Sequence, residues 1–109
     1  MIETYTFGKI VIRGKVYTTD VIITQGKVHS WWRNQGHVLN PEDLILVVED
    51  NPDTLVVGTG AHGALQIPEK SRKFLQERGI SLIAEKTGTA IDIFNSLPEK
   101  KVAALHLTC

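Results

Sequence analysis

The fold is decided by residues 54–106, which read TLVVGTGAHGALQIPEKSRKFLQERGISLIAEKTGTAIDIFNSLPEKKVAALH. Three short apolar runs in this stretch are typical of buried strands, and they cover residues 55–57, 81–84 and 102–106. Two segments with apolar residues at helical spacing lie between these runs, over residues 68–78 and 90–97. The order strand, helix, strand, helix, strand predicts three parallel strands joined by right-handed crossovers.

Both predicted helices carry boundary signals. Pro68 suits the first position of a helix, and Gly79 suits the left-handed position that follows a helix. The second helix has a candidate N-cap within residues 87–89, and Pro98 stops it. These signals separate the helices from the strands on either side.

The first third of the chain has the composition of β structure. β-branched and aromatic residues flank two glycine turns, at Arg13-Gly14 and at residues 25–27, which predicts two antiparallel hairpins. Asn40, a proline and two acids predict a helix over residues 41–50, although the apolar run 44–48 alone would also suit a buried strand. We predict one layered α/β domain over residues 1–109. Its N-terminal antiparallel hairpins precede a βαβαβ unit whose three parallel strands lie in a mixed sheet.

Composition excludes several classes of protein. The 12 Lys and Arg residues equal the 12 Asp and Glu residues in number, so the basic excess of nucleic-acid-binding and anionic-membrane-binding proteins is absent. The apolar run 44–48 is far too short to span a bilayer, and the first residues do not have the pattern of a signal peptide. The single cysteine cannot form an internal disulfide, which fits a reducing compartment. We therefore predict a cytoplasmic protein with no nucleic-acid or membrane partner.

A candidate cleft follows from the predicted sheet. Parallel strands end at one edge of a sheet, where ligands of open α/β folds bind. Three segments should meet there: residues 58–63, 85–89 and 106–109. The candidate binding residues are Gly58, Thr59, Gly60, His62, Gly63, Thr87, Gly88, His106, Thr108 and Cys109. The competing interpretation is that these segments are ordinary turns and the end of the chain.

Residues 58–63 spell G-x-G-x-x-G, the glycine spacing of a dinucleotide-binding loop. In that motif the helix opens at the glycines, whereas Pro68 here marks a later start. A glycine-rich turn is therefore favoured over a dinucleotide site, and no cofactor is predicted. A smaller anion at residues 87–89 remains an alternative to simple capping.

The terminal residues 106–109 pair a histidine with the only cysteine. A nucleophilic cysteine needs an adjacent base, but His106 and Cys109 are three positions apart and face opposite sides of an extended segment. His62 could approach Cys109 from the glycine loop. No histidines stand at helical i,i+4 spacing and no C-x-x-C motif is present, so neither a catalytic residue nor a metal site is predicted.

Trp31, Trp32 and Arg33 form the other unusual cluster. Side chains alternate along a strand, so one tryptophan should be buried and the other partly exposed. An exposed tryptophan beside an arginine is a combination favoured at protein–protein hot spots. The alternative is that both rings cover the domain's own core.

Together these segments resemble a known family. Trp31-Trp32-Arg33 with Gly36-His37, then residues 55–60, then residues 106–109 are similar, in that order, to the Mth938-type domain family of uncharacterised small proteins. Its relatives include an adipogenesis-associated protein and a mitochondrial complex I assembly factor. The resemblance implies a layered α/β fold with an N-terminal β part and supplies no reaction. The first residues do not have the pattern of a mitochondrial presequence, so we do not carry an organellar role over from the resemblance, and we expect a free-standing prokaryotic-type member.

Two functions remain open. The first is a non-catalytic binding or assembly module that acts through protein contacts, with an unknown partner or by self-association as a homo-oligomer. The second is a small-molecule or anion-binding protein, or an enzyme, that uses the carboxyl ends of the parallel strands.

Overall fold

The computed structural model describes residues 1–98 and 100–109. The strands in these residues are β1 (Ile2–Thr6), β2 (Lys9–Ile12), β3 (Lys15–Tyr17), β4 (Val21–Thr24), β5 (Lys27–Ser30), β6 (Thr54–Thr59), β7 (Ser81–Glu85) and β8 (Lys101–His106). The helices are a 3-10 turn (Pro41–Leu44), α1 (Ile45–Asp50), α2 (Glu69–Gln76) and α3 (Thr87–Ser96).

The larger sheet has five strands in the order β5-β4-β8-β6-β7. The middle strand of the βαβαβ unit is β6, which pairs in parallel with both β7 and β8. Val56, for example, lies opposite Ile83 on one side and Ala103 on the other. β4 pairs antiparallel with β8 and joins the second hairpin to the unit. The predicted mixed sheet with three parallel strands is confirmed.

The smaller sheet contains β1, β2 and β3 in antiparallel order. The predicted first hairpin is present, with Arg13 and Gly14 in left-handed conformations at its turn. β1 was not predicted, because in its sequence IETYT only Ile2 is fully buried, and Glu3, Thr4 and Thr6 are exposed polar residues. Pairing of Ile2 with Ile12 holds this strand against β2.

Two apolar cores lie on the two faces of the larger sheet. Because side chains alternate along a strand, Val56 points to the face covered by the smaller sheet and α3, where Phe94 is buried. Leu55 and Val57 point to the other face, where α1 and α2 pack with Trp31. Strands buried on both faces need continuous apolar sequence, which explains why β6 and β8 were evident from the sequence.

The helices differ from the prediction at their first turns. The helix predicted over residues 41–50 begins as a 3-10 turn, in which the backbone N–H of Asn40 donates to the carboxylate of Asp43 at 2.8 Å. Pro68 is the N-cap of α2 and not its first residue. In α3 the N-cap position is Lys86 and not one of residues 87–89, and the hydroxyl of Thr87 bonds to Gly60 and His106. Lys27, predicted as part of a turn, is the first residue of β5.

No helix in the described residues is long and apolar enough to cross a membrane.

Candidate functional site

The three segments predicted to converge do meet where β6, β7 and β8 end, and we call this side of the sheet the carboxyl edge. The hydroxyl of Thr59 donates to the carbonyl of Glu85 at 3.1 Å, which joins the ends of β6 and β7. The hydroxyl of Thr87 accepts the N–H of Gly60 at 2.9 Å and donates to the carbonyl of His106 at 2.6 Å. Thr87 therefore bridges the glycine loop and the end of β8.

Gly58 allows this close approach. A Cβ atom at Gly58 would lie 2.8 Å from the hydroxyl oxygen of Thr87 and 2.9 Å from a methyl of Leu105. Both distances are shorter than van der Waals contact, so the first turn of α3 can pack on β6 only because residue 58 has no side chain. Gly88 and Thr89, the next residues of α3, are exposed.

The glycine loop is filled by the chain's own backbone. The N–H of Ala61 donates to the carbonyl of Thr108 at 2.6 Å. The N–H groups of His62 and Ala64 both donate to the main-chain oxygen of Cys109, at 3.0 and 3.1 Å. The donors that a pyrophosphate would need are thus engaged, and α2 begins only at residue 69. The G-x-G-x-x-G segment here acts as a clamp on residues 108–109.

Asp20 is the centre of a polar cluster that the sequence did not predict. One carboxylate oxygen lies 2.8 Å from Nη2 of Arg33 and 2.8 Å from Nδ1 of His106. The other oxygen accepts the N–H of Leu107 at 2.8 Å. Arg33 and His106 are almost fully buried, with side chains 5% and 6% exposed. This Asp20–Arg33–His106 cluster holds the start of β4, the segment after β5 and the end of β8 together.

Hydrogen bonding keeps the Asp20 carboxylate ionised. Burial acts to raise its pKa, but the hydrogen bonds from His106, the Leu107 N–H and Arg33 outweigh burial, and the pKa of Asp20 lies below its ordinary value. Burial and the nearby Asp20 charge raise the pKa of Tyr5. The Tyr5 hydroxyl accordingly stays protonated and donates to the carbonyl of Leu107 at 2.8 Å.

Two buried nitrogens of this cluster have no hydrogen-bond partner in the described part of the chain. They are Nη1 of Arg33 and Nε2 of His106. Because Nδ1 of His106 faces the Asp20 carboxylate, the opposite ring nitrogen is free to bind something else. The ring of His37 lies edge-on to that of His106, with centroids 5.5 Å apart. Buried polar groups are seldom left unpaired, so this corner can receive a small polar ligand or a water molecule.

The two tryptophans occupy different environments. Trp31 is buried, and its indole N–H donates to the carbonyl of Asp43 at 3.0 Å. Trp32 is 80% exposed. The guanidinium of Arg33 lies over the Trp31 ring at 4.4 Å and points inward to Asp20. The surface pair expected from residues 32 and 33 is therefore reduced to Trp32 alone.

The remaining predicted residues lie around the clamp. His62 is exposed and stands beside the exposed ring of Phe7, with centroids 6.2 Å apart. Gly63 adopts a left-handed conformation next to Lys86. Cys109 is exposed, whereas His106 is buried in the cluster with Asp20. Within residues 1–98 and 100–109, no three side chains of His, Cys, Asp or Glu are placed to share a metal ion.

Comparison with known proteins identifies the family. A family model described as "Protein of unknown function (DUF498/DUF598)" matches residues 2–107. A conserved hypothetical protein from Pyrococcus horikoshii OT3 is 28% identical, with a TM-score of 0.91, over 100% of this chain and 99% of that one. A structure named MT938 is 26% identical, with a TM-score of 0.83, over 100% of this chain and 98% of that one.

The fold extends to more distant proteins. A Bordetella pertussis protein described as a Mth938-like domain is 19% identical, with a TM-score of 0.76, over 97% of this chain and 84% of that one. The chain belongs to the DUF498/DUF598 family of proteins of unknown function, and the predicted Mth938-type resemblance is confirmed.

Proposed function

We propose that this member of the DUF498/DUF598 family is a non-catalytic binding module that holds a protein partner at its carboxyl edge, with Trp32 as the anchor. The observation that supports the proposal most is the 80% exposure of Trp32 beside a fixed, buried cluster. A large aromatic ring on the surface gains free energy when a partner covers it.

The support under Trp32 is rigid. Trp31, the preceding residue, is buried and hydrogen-bonded, and Arg33, the following residue, is held by Asp20. The backbone that carries Trp32 therefore loses little conformational freedom when a partner binds, which favours affinity. Phe7 is a second exposed aromatic residue at this edge, since its neighbour Gly8 donates to the carbonyl of Leu107 at 2.8 Å.

A photo-crosslinking amino acid at position 32 tests the proposal in cells that naturally express the chain. We expect one protein to be captured reproducibly from position 32 and not from position 16, a matched site because Val16 is also exposed and lies near the opposite edge. The captured protein, or a second copy of this chain, is then purified and its binding is measured. We expect Trp32→Ala to weaken binding by about 30-fold and Val16→Ala by less than about threefold.

Two results would contradict the proposal. One is equal capture from positions 32 and 16. The other is that a purified partner binds the Trp32→Ala variant as tightly as it binds the unaltered chain, while sedimentation of the chain alone shows no self-association that the substitution weakens.

A second candidate function is the binding of a small anion at the carboxyl edge. It is favoured by Nη1 of Arg33, a buried N–H donor without a partner in the described residues, and not by the glycine loop, whose N–H groups are engaged. Among the residues predicted for the cleft, Gly60 is close to this corner, since a Cβ there would lie 2.9 Å from Cδ2 of His106.

A nuclear magnetic resonance titration with inorganic phosphate tests this second function. We expect saturable shifts of the Gly60 and Leu107 amides and of the Arg33 side chain, because these groups surround the unpartnered nitrogens. Sodium chloride at the same ionic strength is the control. Equal shifts with chloride, or shifts confined to other residues, would rule the phosphate site out.

A further inference from the structure

An open cavity lies at the other end of the parallel strands, which we call the amino edge. Its volume is about 390 Å³. Lys101, the first residue of β8, lines it together with Gln25 and Gly26, which follow β4. Since β4 runs antiparallel to β8, these residues meet at the edge opposite the Asp20–Arg33–His106 cluster. The cavity is therefore separate from the site described above.

The floor of the cavity is apolar. Ile2 from β1, Ile12 from β2, Ile23 from β4 and Phe94 from α3 all line it, and each is buried. These side chains belong to the core between the two sheets, so the cavity is an opening into that core. Such a floor favours the hydrocarbon part of a ligand over a polar one.

The charged residues around the cavity are mostly basic. Arg13, Lys100 and Lys101 line it, against the single carboxylate of Asp50. Asp50 already accepts a hydrogen bond from the hydroxyl of Thr24. The ion pairs within residues 1–98 and 100–109 are those of Asp20 at the other edge. Arg13, Lys100 and Lys101 therefore form no ion pair with a carboxylate of the described residues.

The charged side-chain groups of Arg13 and Lys101 contact neutral groups and not carboxylates. Nη1 of Arg13 donates to the carbonyl of Gly26, which turns the guanidinium toward the second hairpin. The ammonium of Lys101 donates to the carbonyls of Phe94 and Leu97 at the end of α3. Carbonyl bonds leave the positive charges unneutralised. An anion placed beside them would gain charge-assisted hydrogen bonds.

From this combination we propose that the amino-edge cavity binds a small amphipathic carboxylate, with its hydrocarbon chain on the isoleucine floor and its head beside Arg13 and Lys100. The volume of about 390 Å³ is at the small end of the range of ligand pockets, which is roughly 300–1,000 Å³. A medium-chain fatty acid such as octanoate is therefore the probe we choose.

Calorimetry and an amide-shift titration of the full chain with octanoate test this proposal. We expect saturable binding with a dissociation constant of about 1 mM or lower, and shifts centred on Ile2, Gly26 and Phe94. Octylammonium and 1-octanol also contain eight carbon atoms but carry no negative charge. We expect both to bind at least about tenfold more weakly, because the cations would repel the first and gain no ion pair with the second.

A pair of variants separates charge at the cavity from charge on the whole protein. Arg13→Gln with Lys100→Gln should weaken octanoate binding about tenfold. Lys70→Gln with Lys73→Gln makes the same change in net charge on the exposed face of α2 and should leave binding unchanged. The amide spectrum of each variant shows whether the fold is intact.

Several outcomes would overturn the proposal. They are the absence of saturation at about 10 mM octanoate, equal binding of octanoate and octylammonium, and shifts centred on the carboxyl edge. The proposal would also be overturned if the double variant at Lys70 and Lys73 weakened octanoate binding as much as the double variant at Arg13 and Lys100. None of these results depends on Trp32, so a failure here is distinct from a failure of the proposed protein contact.

Discussion

Replacing Asp20 by asparagine is expected to lower the free energy of unfolding at pH 7 by about 3 kcal/mol. The amide keeps the size of the carboxylate but loses its charge, and Arg33, whose side chain is 5% exposed, is left without a counter-ion. If the amide oxygen keeps the bond from the Leu107 N–H, the new NH₂ group faces the donor of Arg33.

The effect of Asp20→Asn should depend on pH. The pKa of Asp20 in the folded chain lies below its ordinary value, so its ionised form stabilises the fold above the unfolded pKa of about 3.9. This stability is lost as the pH falls through the lower, folded value. The difference in the free energy of unfolding between the unaltered chain and the variant should thus narrow below about pH 4.

Urea unfolding at a series of pH values measures both effects. Asp92→Asn is the matched control, since it removes the same charge from an exposed position on α3. It should change the free energy of unfolding by less than about 0.5 kcal/mol. Two results would contradict the role given to this cluster. One is that Asp20→Asn lowers the free energy of unfolding no more than the control does. The other is that the difference in this free energy between the unaltered chain and Asp20→Asn does not narrow in acid.

The sequence predicted the elements whose signals are local. β6 and β8 are buried on both faces and are therefore apolar runs. α2 has periodic apolar residues between Pro68 and Gly79, and α3 has them between Thr87 and Pro98. Once these elements are ordered, the handedness of the crossovers leaves little choice of topology. The carboxyl edge followed from that topology alone.

Asp20 was missed because its partners are remote in the chain. Arg33 lies 13 residues away and His106 lies 86 residues away. An acid between two hairpins is most simply interpreted as a turn residue. The available signal was its position directly before a buried strand, but only the antiparallel pairing of β4 with β8 shows that His106 is its neighbour.

The amino-edge cavity was missed for a different reason. Its floor comes from β1, β2, β4 and α3, so it exists only because the smaller sheet packs on the larger one. No pattern within one element encodes how two sheets are placed against each other. β1 itself was not predicted, and without it the cavity has no wall on the side of Ile2.

The second large effect is expected at Gly60, where alanine should lower the free energy of unfolding by about 3 kcal/mol. Its φ of +107° is unfavourable for any residue with a side chain, and a Cβ would lie 2.3 Å from the carbonyl carbon of Cys109. The obstacle is backbone, which cannot rotate away, so either the clamp opens or the loop distorts.

Gly63→Ala is the matched control for Gly60→Ala, because both glycines are left-handed members of one loop. At Gly63 the nearest atom to a Cβ is the flexible side chain of Lys86, at 3.6 Å, so only the backbone strain of about 1 kcal/mol is expected. Urea unfolding compares the two variants, and amide exchange at His62 and Ala64 reports on the bonds to Cys109. We expect exchange to accelerate in Gly60→Ala and not in Gly63→Ala. Equal losses of stability and unchanged exchange would mean that the glycine loop does not clamp the end of the described chain.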